Sequence, residues 1–182
     1  MNSDVYRLPP NLPVPEDDGA ADHLAGLSVP ELWLESSRGT VNVRDFHVIY
    51  VYPRTGPPDQ PLPPGWDDIP GARGCTPQSC AFRDAAAEFG ELGVRVAGLS
   101  AQSLTDQREF AERNRMPYPV IADPDRQLGE VLRLPTFEAA GLTLYKRLTL
   151  VAERGEIVKV FYPVFPPDEN AAEVLAWLRS RA

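Results

Sequence analysis

The chain has 182 residues, which is long enough for one well-buried domain and short for two. Hydrophobic residues make up 43% of it, as in soluble globular proteins, and its net charge of −8 argues against nucleic acid and anionic membranes as partners, because both attract basic proteins. No stretch approaches the roughly 18 apolar residues of a membrane span, and the N-terminus lacks the basic and apolar regions of a signal peptide, so we expect a cytoplasmic protein.

The first part of the chain predicts an extended arm followed by strands. Residues 1–30 are rich in proline and end in a run of glycine, alanine and serine, which is typical of an arm laid over a domain. Residues 32–34 and 40–43 flank the turn-forming residues 36–39 and predict a hairpin. Residues 47–52 are almost all apolar, β-branched or aromatic, which predicts a central strand covered on both faces.

Residues 54–73 form an unusual segment, rich in proline and glycine, that can be neither a helix nor an interior strand. A loop of this length inside a compact domain is usually functional or mobile. Directly after it, Cys75, Thr76 and Pro77 predict the start of a helix, with the proline early, where its missing N–H costs nothing. The helix is predicted to end near Gly90 or Gly93, and it carries an apolar stripe of Phe82, Ala86 and Phe89.

Strand and helix patterns alternate through the second half of the chain. Strands are predicted at residues 94–99 and 120–122, and Ser103 is a candidate N-cap for a helix that runs to about residue 115. Asp123 and Pro124 predict the start of a further helix that buries Leu128, Val131 and Leu132. A hairpin at residues 148–162 precedes a last helix, which opens at Asp168 and presents Ala171, Val174, Leu175 and Leu178 on one face. This order predicts an α/β fold with a mixed central sheet flanked by helices, within one domain spanning residues 1–182.

Cys75 and Cys80 are the only cysteines of the chain. In a reducing compartment a lone pair of cysteines is more often catalytic, redox-sensing or metal-binding than structural, although buried free cysteines also occur as small hydrophobic residues. Two cysteines and two distant histidines, His23 and His47, are a poor ligand set for zinc, so we expect no metal and no other cofactor, and both histidines are interpreted as structural.

The two cysteines occupy unequal positions on the predicted helix. A cysteine is nucleophilic as the thiolate, and Cys75 follows Gly74 at the helix start, where free backbone N–H groups and the positive end of the helix dipole stabilise an anion. Cys80 lies one and a half turns further along, where this stabilisation is lost. The pattern therefore indicates an attacking Cys75 and a resolving Cys80.

The spacing also limits how the two cysteines can pair. Positions i and i+5 of an intact α-helix are about 8–9 Å apart at Cα, whereas a disulfide needs less than about 7 Å. A structural disulfide would need a permanently broken helix, and a catalytic one predicts that the first turns melt and re-form in each cycle.

Residues 74–84, which read GCTPQSCAFRD, resemble the GCTxxxCxFRD signature of the Q-type peroxiredoxins, also called bacterioferritin comigratory proteins. The similarity extends over roughly residues 28–180, because residues 98–100, 110–112, 116–123 and 146–151 match further family motifs in the same order. The resemblance implies a thioredoxin-like fold and a thiol-dependent peroxidase that reduces hydrogen peroxide and organic hydroperoxides.

The resemblance also implies roles for single residues. Cys75 is then the peroxidatic cysteine that becomes a sulfenic acid, and Cys80 condenses with it to form a disulfide. Thioredoxin or a similar thiol reductant then reduces this disulfide back to the two thiols. Arg147 matches the family arginine that stabilises the thiolate and the peroxide oxygens. Arg83 and Asp84 are expected to form a surface ion pair. The expected assembly is a monomer or weak homodimer.

The sequence departs from the family at the PxxxTxxC pattern, whose threonine binds the peroxide. Ala72 stands where that threonine is expected, and the matching proline, Pro53, lies far upstream, before the insertion at residues 54–73. Thr55 is a candidate for the displaced threonine and, with Gly74 and Thr76, a candidate for substrate binding. We therefore expect the insertion to fold over Cys75.

Two other functions remain compatible with the sequence. One is a thiol–disulfide oxidoreductase on the same fold. The C-x4-C spacing argues against it, because such enzymes use C-x-x-C. The other is a non-enzymatic redox-sensing or binding module in which the long loop contacts a partner.

Overall fold

A seven-stranded mixed sheet forms the centre of the computed structural model, which describes residues 4–182. The strands are β1 (Trp33–Ser36), β2 (Gly39–Asn42), β3 (Val48–Val51), β4 (Val96–Ser100), β5 (Val120–Ala122), β6 (Thr136–Ala139), β7 (Leu142–Tyr145), β8 (Leu148–Glu153) and β9 (Glu156–Phe161). The helices are α1 (Cys75–Asp84), α2 (Ala86–Glu91), α3 (Leu104–Arg113), α4 (Gln127–Leu132) and α5 (Asn170–Ser180). The sheet order is β2-β1-β5-β4-β3-β8-β9, and β6 and β7 form a separate two-stranded sheet. The predicted α/β fold with a mixed central sheet is confirmed.

The central strand β3 lies between parallel β4 and antiparallel β8, and all four of its residues are buried. Ile49 and Val51 belong to the apolar cluster on one face of the sheet, and Val48 and Tyr50 belong to the cluster on the other face. This division follows from the two-residue period of a strand. Gly98 of β4 makes room for Tyr50, because a Cβ there would lie 2.7 Å from the tyrosine ring.

The N-terminal segment lies against the sheet and its loops. Leu24 and Val29 are buried in the core, and the backbone N–H of Val29 donates to the carbonyl of Gly155 at 2.8 Å. Asp18 accepts hydrogen bonds from Lys146 Nζ at 2.9 Å and from the Tyr162 hydroxyl at 2.7 Å, and these donors hold the pKa of its carboxyl below the ordinary value. The segment is thus attached to the domain by both apolar and polar contacts.

Most predicted elements are confirmed, and their local signals explain why. The hairpins β1–β2 and β8–β9 and the strands β3, β4 and β5 lie within one or two residues of the expected positions. Ser103 is the N-cap of α3, and its hydroxyl accepts from the backbone N–H of Asp106 at 3.2 Å. Short-range patterns of alternation and capping were sufficient for these elements.

Three details of the sequence reading were wrong or missing. The helix that starts at Cys75 is not continuous to Gly90, because it ends at Asp84 and Ala85 (φ −92°, ψ 2°) joins it to α2. Val131 of α4 is 58% exposed, since it points about 80° away from the direction shared by Leu128 and Leu132 on a helix of 3.6 residues per turn. The hairpin β6–β7 was not predicted, although Ala140 and Gly141 supply the two positive φ angles of its tight turn.

Among residues 4–182, no helix combines the length and the apolar character that crossing a membrane requires.

Candidate active site

Cys75 is the first residue of α1, at the point where the long loop of residues 54–73 meets the helix. Gly74 precedes it with φ 110°, a conformation that favours glycine, and a Cβ there would collide with the ring of Pro167 and lie 2.9 Å from Leu8. Cys75 is only 4% exposed, and its Sγ is 3.7 Å from the carbonyl oxygen of Ala72. The thiol therefore lies in a closely packed site at the N-terminus of the helix.

Arg147 approaches Cys75 from the segment between β7 and β8, and it is 3% exposed. Its Nη2 donates to Cys75 Sγ at 3.2 Å and also contacts the carbonyl oxygens of Gly71, Ala72 and Arg73 at 3.3, 3.1 and 3.3 Å. A guanidinium held by several acceptors at once is a fixed positive charge beside the sulfur. Together with the N-terminus of α1, it provides the electrostatic setting that a thiolate needs.

A buried chain of amides holds Arg147 from its other side. Arg147 Nη1 donates to Gln78 Oε1 at 2.6 Å, and Gln78 Nε2 donates to Asn170 Oδ1 at 3.1 Å. The hydroxyl of Thr149 donates to the same Asn170 oxygen at 2.7 Å. Gln78 lies on α1 between the two cysteines, so the position of Arg147 depends on the folded state of this helix.

A small pocket opens beside Cys75, and about 20 Å³ of it is open to water-sized molecules. The candidate residues Thr55, Gly74 and Thr76 line it together with Cys75, and so do Val5, Arg54, Gly56, Leu62, Trp66 and Arg73. The expectation that the insertion folds over Cys75 agrees with this geometry, because Leu62 and Trp66 belong to the insertion. Trp66 is fixed there by packing in a buried cluster with Ala72 and Leu144.

Cys80 is half-buried on the same helix, and its Sγ lies 3.9 Å from Asn114 Oδ1. Burial, with a further contribution from the charge of Asp84, raises the pKa of the Cys80 thiol above its ordinary value. Both cysteines are free thiols, and α1 is intact between them. The structure thus shows the reduced form, in which Cys75 Sγ accepts a hydrogen bond from a guanidinium and Cys80 Sγ contacts the amide of Asn114.

Arg83, Asp84 and the two histidines, which the sequence analysis also named, contact other protein groups. Arg83 Nε forms an ion pair with Asp84 at 3.0 Å, and Arg83 Nη1 also donates to the carbonyl of Asn114. His23 Nε2 lies 2.8 Å from the carbonyl oxygen of Leu132, and His47 Nδ1 accepts from the backbone N–H of Arg95 at 3.0 Å. Residues 4–182 contain no group of three or more His, Cys, Asp or Glu side chains that could hold a metal ion.

Three polar residues of the site were missed in the sequence: Gln78, Gln102 and Asn170. Gln78 had a signal, since it lies three residues after Cys75 and therefore on the same helix face. The signal for Gln102 was weaker. Gln102 follows the carboxyl end of β4, and Thr55 follows the carboxyl end of the neighbouring parallel strand β3. Nothing local marked Asn170, which enters the site only through tertiary packing.

Comparison with known proteins shows similarity over most of the chain. The family model described as Redoxin matches residues 25–175. A relative from Gentiana triflora named chloroplastic peroxiredoxin Q is 29% identical over 187 aligned positions, covering 97% of this chain and 78% of the relative. A second relative with the same name, from Sedum lineare, is 28% identical, and the alignment covers 94% of this chain and 86% of that relative.

Solved structures of known proteins have a fold similar to that of this chain. The crystal structure of peroxidoxin BcpB from Mycobacterium tuberculosis is 25% identical and has a TM-score of 0.69, covering 87% of this chain and 97% of that one. A mutant of peroxiredoxin Q from Xanthomonas campestris is 24% identical with a TM-score of 0.68, covering 87% and 99%. The thioredoxin-like fold expected from the resemblance is confirmed. The chain belongs to the Redoxin family, and within that family it is similar to the Q-type peroxiredoxins, as residues 74–84 predicted.

Proposed function

We propose that this chain is a thiol-dependent peroxidase that reduces hydrogen peroxide and organic hydroperoxides, with Cys75 as the nucleophile. The observation that carries the proposal is the 3.2 Å hydrogen bond from the buried Arg147 guanidinium to Cys75 Sγ at the start of α1. Membership of the Redoxin family and the similarity to peroxiredoxin Q support it. A related structure, the bacterioferritin comigratory protein of Xanthomonas campestris, is described by its alkyl peroxide reduction activity, which supports organic hydroperoxides as substrates.

In the first step the Cys75 thiolate attacks the terminal oxygen of the hydroperoxide. An S–O bond forms while the O–O bond breaks, and the electron pair of the O–O bond leaves with the second oxygen, which takes a proton and departs as water or an alcohol. The sulfur is oxidised to a sulfenic acid. Arg147 stabilises the thiolate before the attack and the negative charge that develops on the leaving oxygen during it.

In the second step the Cys80 sulfur attacks the sulfenic sulfur of Cys75. The S–OH bond breaks, the oxygen leaves as water with the proton of the Cys80 thiol, and a disulfide forms. Because α1 is intact in the reduced protein, this step requires that its first turns unwind. A dithiol reductant of the thioredoxin type then supplies two electrons and two protons and restores both thiols.

We further propose that Thr55, Gly74 and Thr76 bind the substrate, since they line the Cys75 pocket. The domain organisation, with one domain spanning residues 1–182 and an arm at residues 1–30, stays a prediction that the burial of Leu24 and Val29 supports. The cytoplasmic location and the monomeric or weakly dimeric state also stay predictions, and the two plant relatives are named chloroplastic.

The proposal is tested by mixing the reduced protein with hydrogen peroxide in a stopped-flow instrument and recording tryptophan fluorescence. Trp66 lines the Cys75 pocket, so its emission is expected to change when Cys75 is oxidised. One equivalent of peroxide should remove both thiols of the wild type. The Cys80→Ser variant should consume one equivalent and hold a sulfenic acid that a dimedone-type probe traps, whereas Cys75→Ser should consume none. Peroxide consumption by Cys75→Ser at the wild-type rate would refute the proposal.

The inequality of the two cysteines predicts selective alkylation. At mildly acidic pH, iodoacetamide is expected to label Cys75 about tenfold faster than Cys80, because Arg147 and the N-terminus of α1 favour the Cys75 thiolate while burial keeps Cys80 protonated. Solvent exposure alone would favour faster labelling of Cys80, because Cys80 is half-buried and Cys75 is buried. Mass spectrometry of the labelled peptides measures both rates, and equal labelling would contradict the assigned roles.

A further inference from the structure

Thr55 is held beside the Cys75 pocket by the side chain of Gln102. The backbone N–H of Thr55 donates to Gln102 Oε1 at 2.8 Å, and Gln102 Nε2 donates to the Thr55 carbonyl oxygen at 3.0 Å. The backbone hydrogen bonds between the β3 and β4 segments end earlier in the chain, with the bond from the N–H of Tyr52 to the carbonyl of Leu99. The Gln102 amide therefore takes the place of a backbone peptide and extends the β3–β4 pairing to Thr55.

The hydroxyl of Thr55 is part of the same arrangement. Thr55 Oγ1 donates to Gln102 Oε1 at 3.2 Å, and Ser100 Oγ donates to the same oxygen at 3.1 Å while it accepts from the Gln102 N–H at 3.2 Å. Ser100, Gln102 and Thr55 are 0%, 9% and 5% exposed. The amide orientation is determined by its partners, because a reversed amide would place its NH2 group against the N–H of Thr55.

We propose that Gln102 is a positioning residue for peroxide reduction, which makes Thr55 the group that accepts the O–H hydrogen of the hydroperoxide. A hydroxyl has one hydrogen to donate and two lone pairs that accept. Because Gln102 takes that hydrogen, the lone pairs of Thr55 Oγ1 are left for the substrate. The proposal rests on the peroxidase function proposed above, and it names the protonated hydroperoxide as the species that binds.

This arrangement also explains how the site works with alanine at position 72. The hydroxyl comes from Thr55, on the far side of the insertion, and it reaches the pocket because Gln102 fixes the backbone on both sides of the Thr55 Cα. A substrate O–H bonded to Thr55 and a leaving oxygen facing Arg147 would align the O–O bond with the Cys75 sulfur, as the displacement requires. Gln102 itself has no contact with Cys75 among its hydrogen bonds.

The test compares two reactions of Cys75 in a Cys80→Ser background, which leaves one thiol. Gln102→Leu is expected to lower the second-order rate constant with hydrogen peroxide about tenfold, the factor that one hydrogen bond in the transition state supplies. The rate of alkylation by iodoacetamide should stay within twofold, because that reagent does not use Thr55. The matched control is Gln60→Leu, since Gln60 is exposed on the insertion. An equal loss in both reactions would mean a structural role and would overturn the proposal, and so would an unchanged peroxide rate.

Thr55→Val provides the second arm, because it removes the hydroxyl and keeps the side-chain volume. We expect the same tenfold loss in peroxide rate, and the double variant with Gln102→Leu should lose no more than either single one, since both act through one hydroxyl. Additive losses in the double variant would overturn the proposal. If Gln102→Leu does not fold, an unchanged peroxide rate in Thr55→Val would overturn it. If the parent protein does not react with peroxide, the peroxidase function itself fails, which is a distinct result.

Discussion

Replacement of Arg147 by methionine is expected to slow the reaction of Cys75 with hydrogen peroxide by about 10²- to 10³-fold, the usual effect of removing one preorganised donor from a developing charge. The guanidinium is buried and donates to Cys75 Sγ at 3.2 Å, so its loss removes the positive charge nearest the thiolate. It also leaves the buried Gln78 Oε1 without its donor at 2.6 Å. The rate constant follows from stopped-flow fluorescence of the reduced protein at several peroxide concentrations.

Two further variants separate charge from geometry at this position. Arg147→Lys keeps the charge but not the planar fork that bonds Cys75 and Gln78 together, so we expect a rate between those of the wild type and the methionine variant. Arg108→Met is the matched control, because Arg108 is exposed on α3. A rate for Arg147→Met within threefold of the wild type, in a protein with unchanged circular dichroism, would show that Arg147 is structural only.

Oxidation is expected to unfold the first turns of α1. The reduced helix runs from Cys75 to Asp84, and a disulfide cannot form until the Cα atoms of Cys75 and Cys80 come closer than an intact helix allows. The helical hydrogen bonds of α1 begin with the bond from the Gln78 N–H to the carbonyl of Gly74. The amides of residues 78–82 should therefore exchange with deuterium at least about 100-fold faster in the oxidised protein, because exchange from an unfolded turn needs no further opening. Hydrogen-exchange mass spectrometry of the two redox states measures this difference.

The unwinding should also release the contacts that α1 makes across the site. Gln78 would leave Arg147 and Asn170, and the backbone carbonyl of Ser79 would lose the Tyr118 hydroxyl that donates to it at 3.1 Å. The amides of α4 and of the last turns of α5 serve as internal references that should change little. Cys80→Ser, which cannot form the bond, should show slow exchange in α1 before and after peroxide treatment. A disulfide-bonded protein with an equally protected α1 would contradict this prediction.

The sequence by itself determined the elements whose signals are local. The apolar run at β3, the Ser103 cap and the start of α1 at Cys75 all depend on residues a few positions apart, so the pattern was sufficient to predict them. The unequal positions of the two cysteines could be predicted for the same reason, because a helix terminus differs from a helix interior whatever packs around it.

The resemblance of the sequence to a known family indicated Arg147, but only the tertiary structure decided how the polar groups around the sulfur meet. Arg147 is 72 residues from Cys75 in the chain, and it reaches the sulfur because antiparallel pairing of β8 with β3 places Leu148 opposite Val51, at the strand end where the loop to Cys75 begins. Gln102 and Asn170 enter the site in the same way, through sheet register and helix packing. Buried amides bond whatever partner the fold brings within hydrogen-bond distance, and no periodicity in the sequence records that partner.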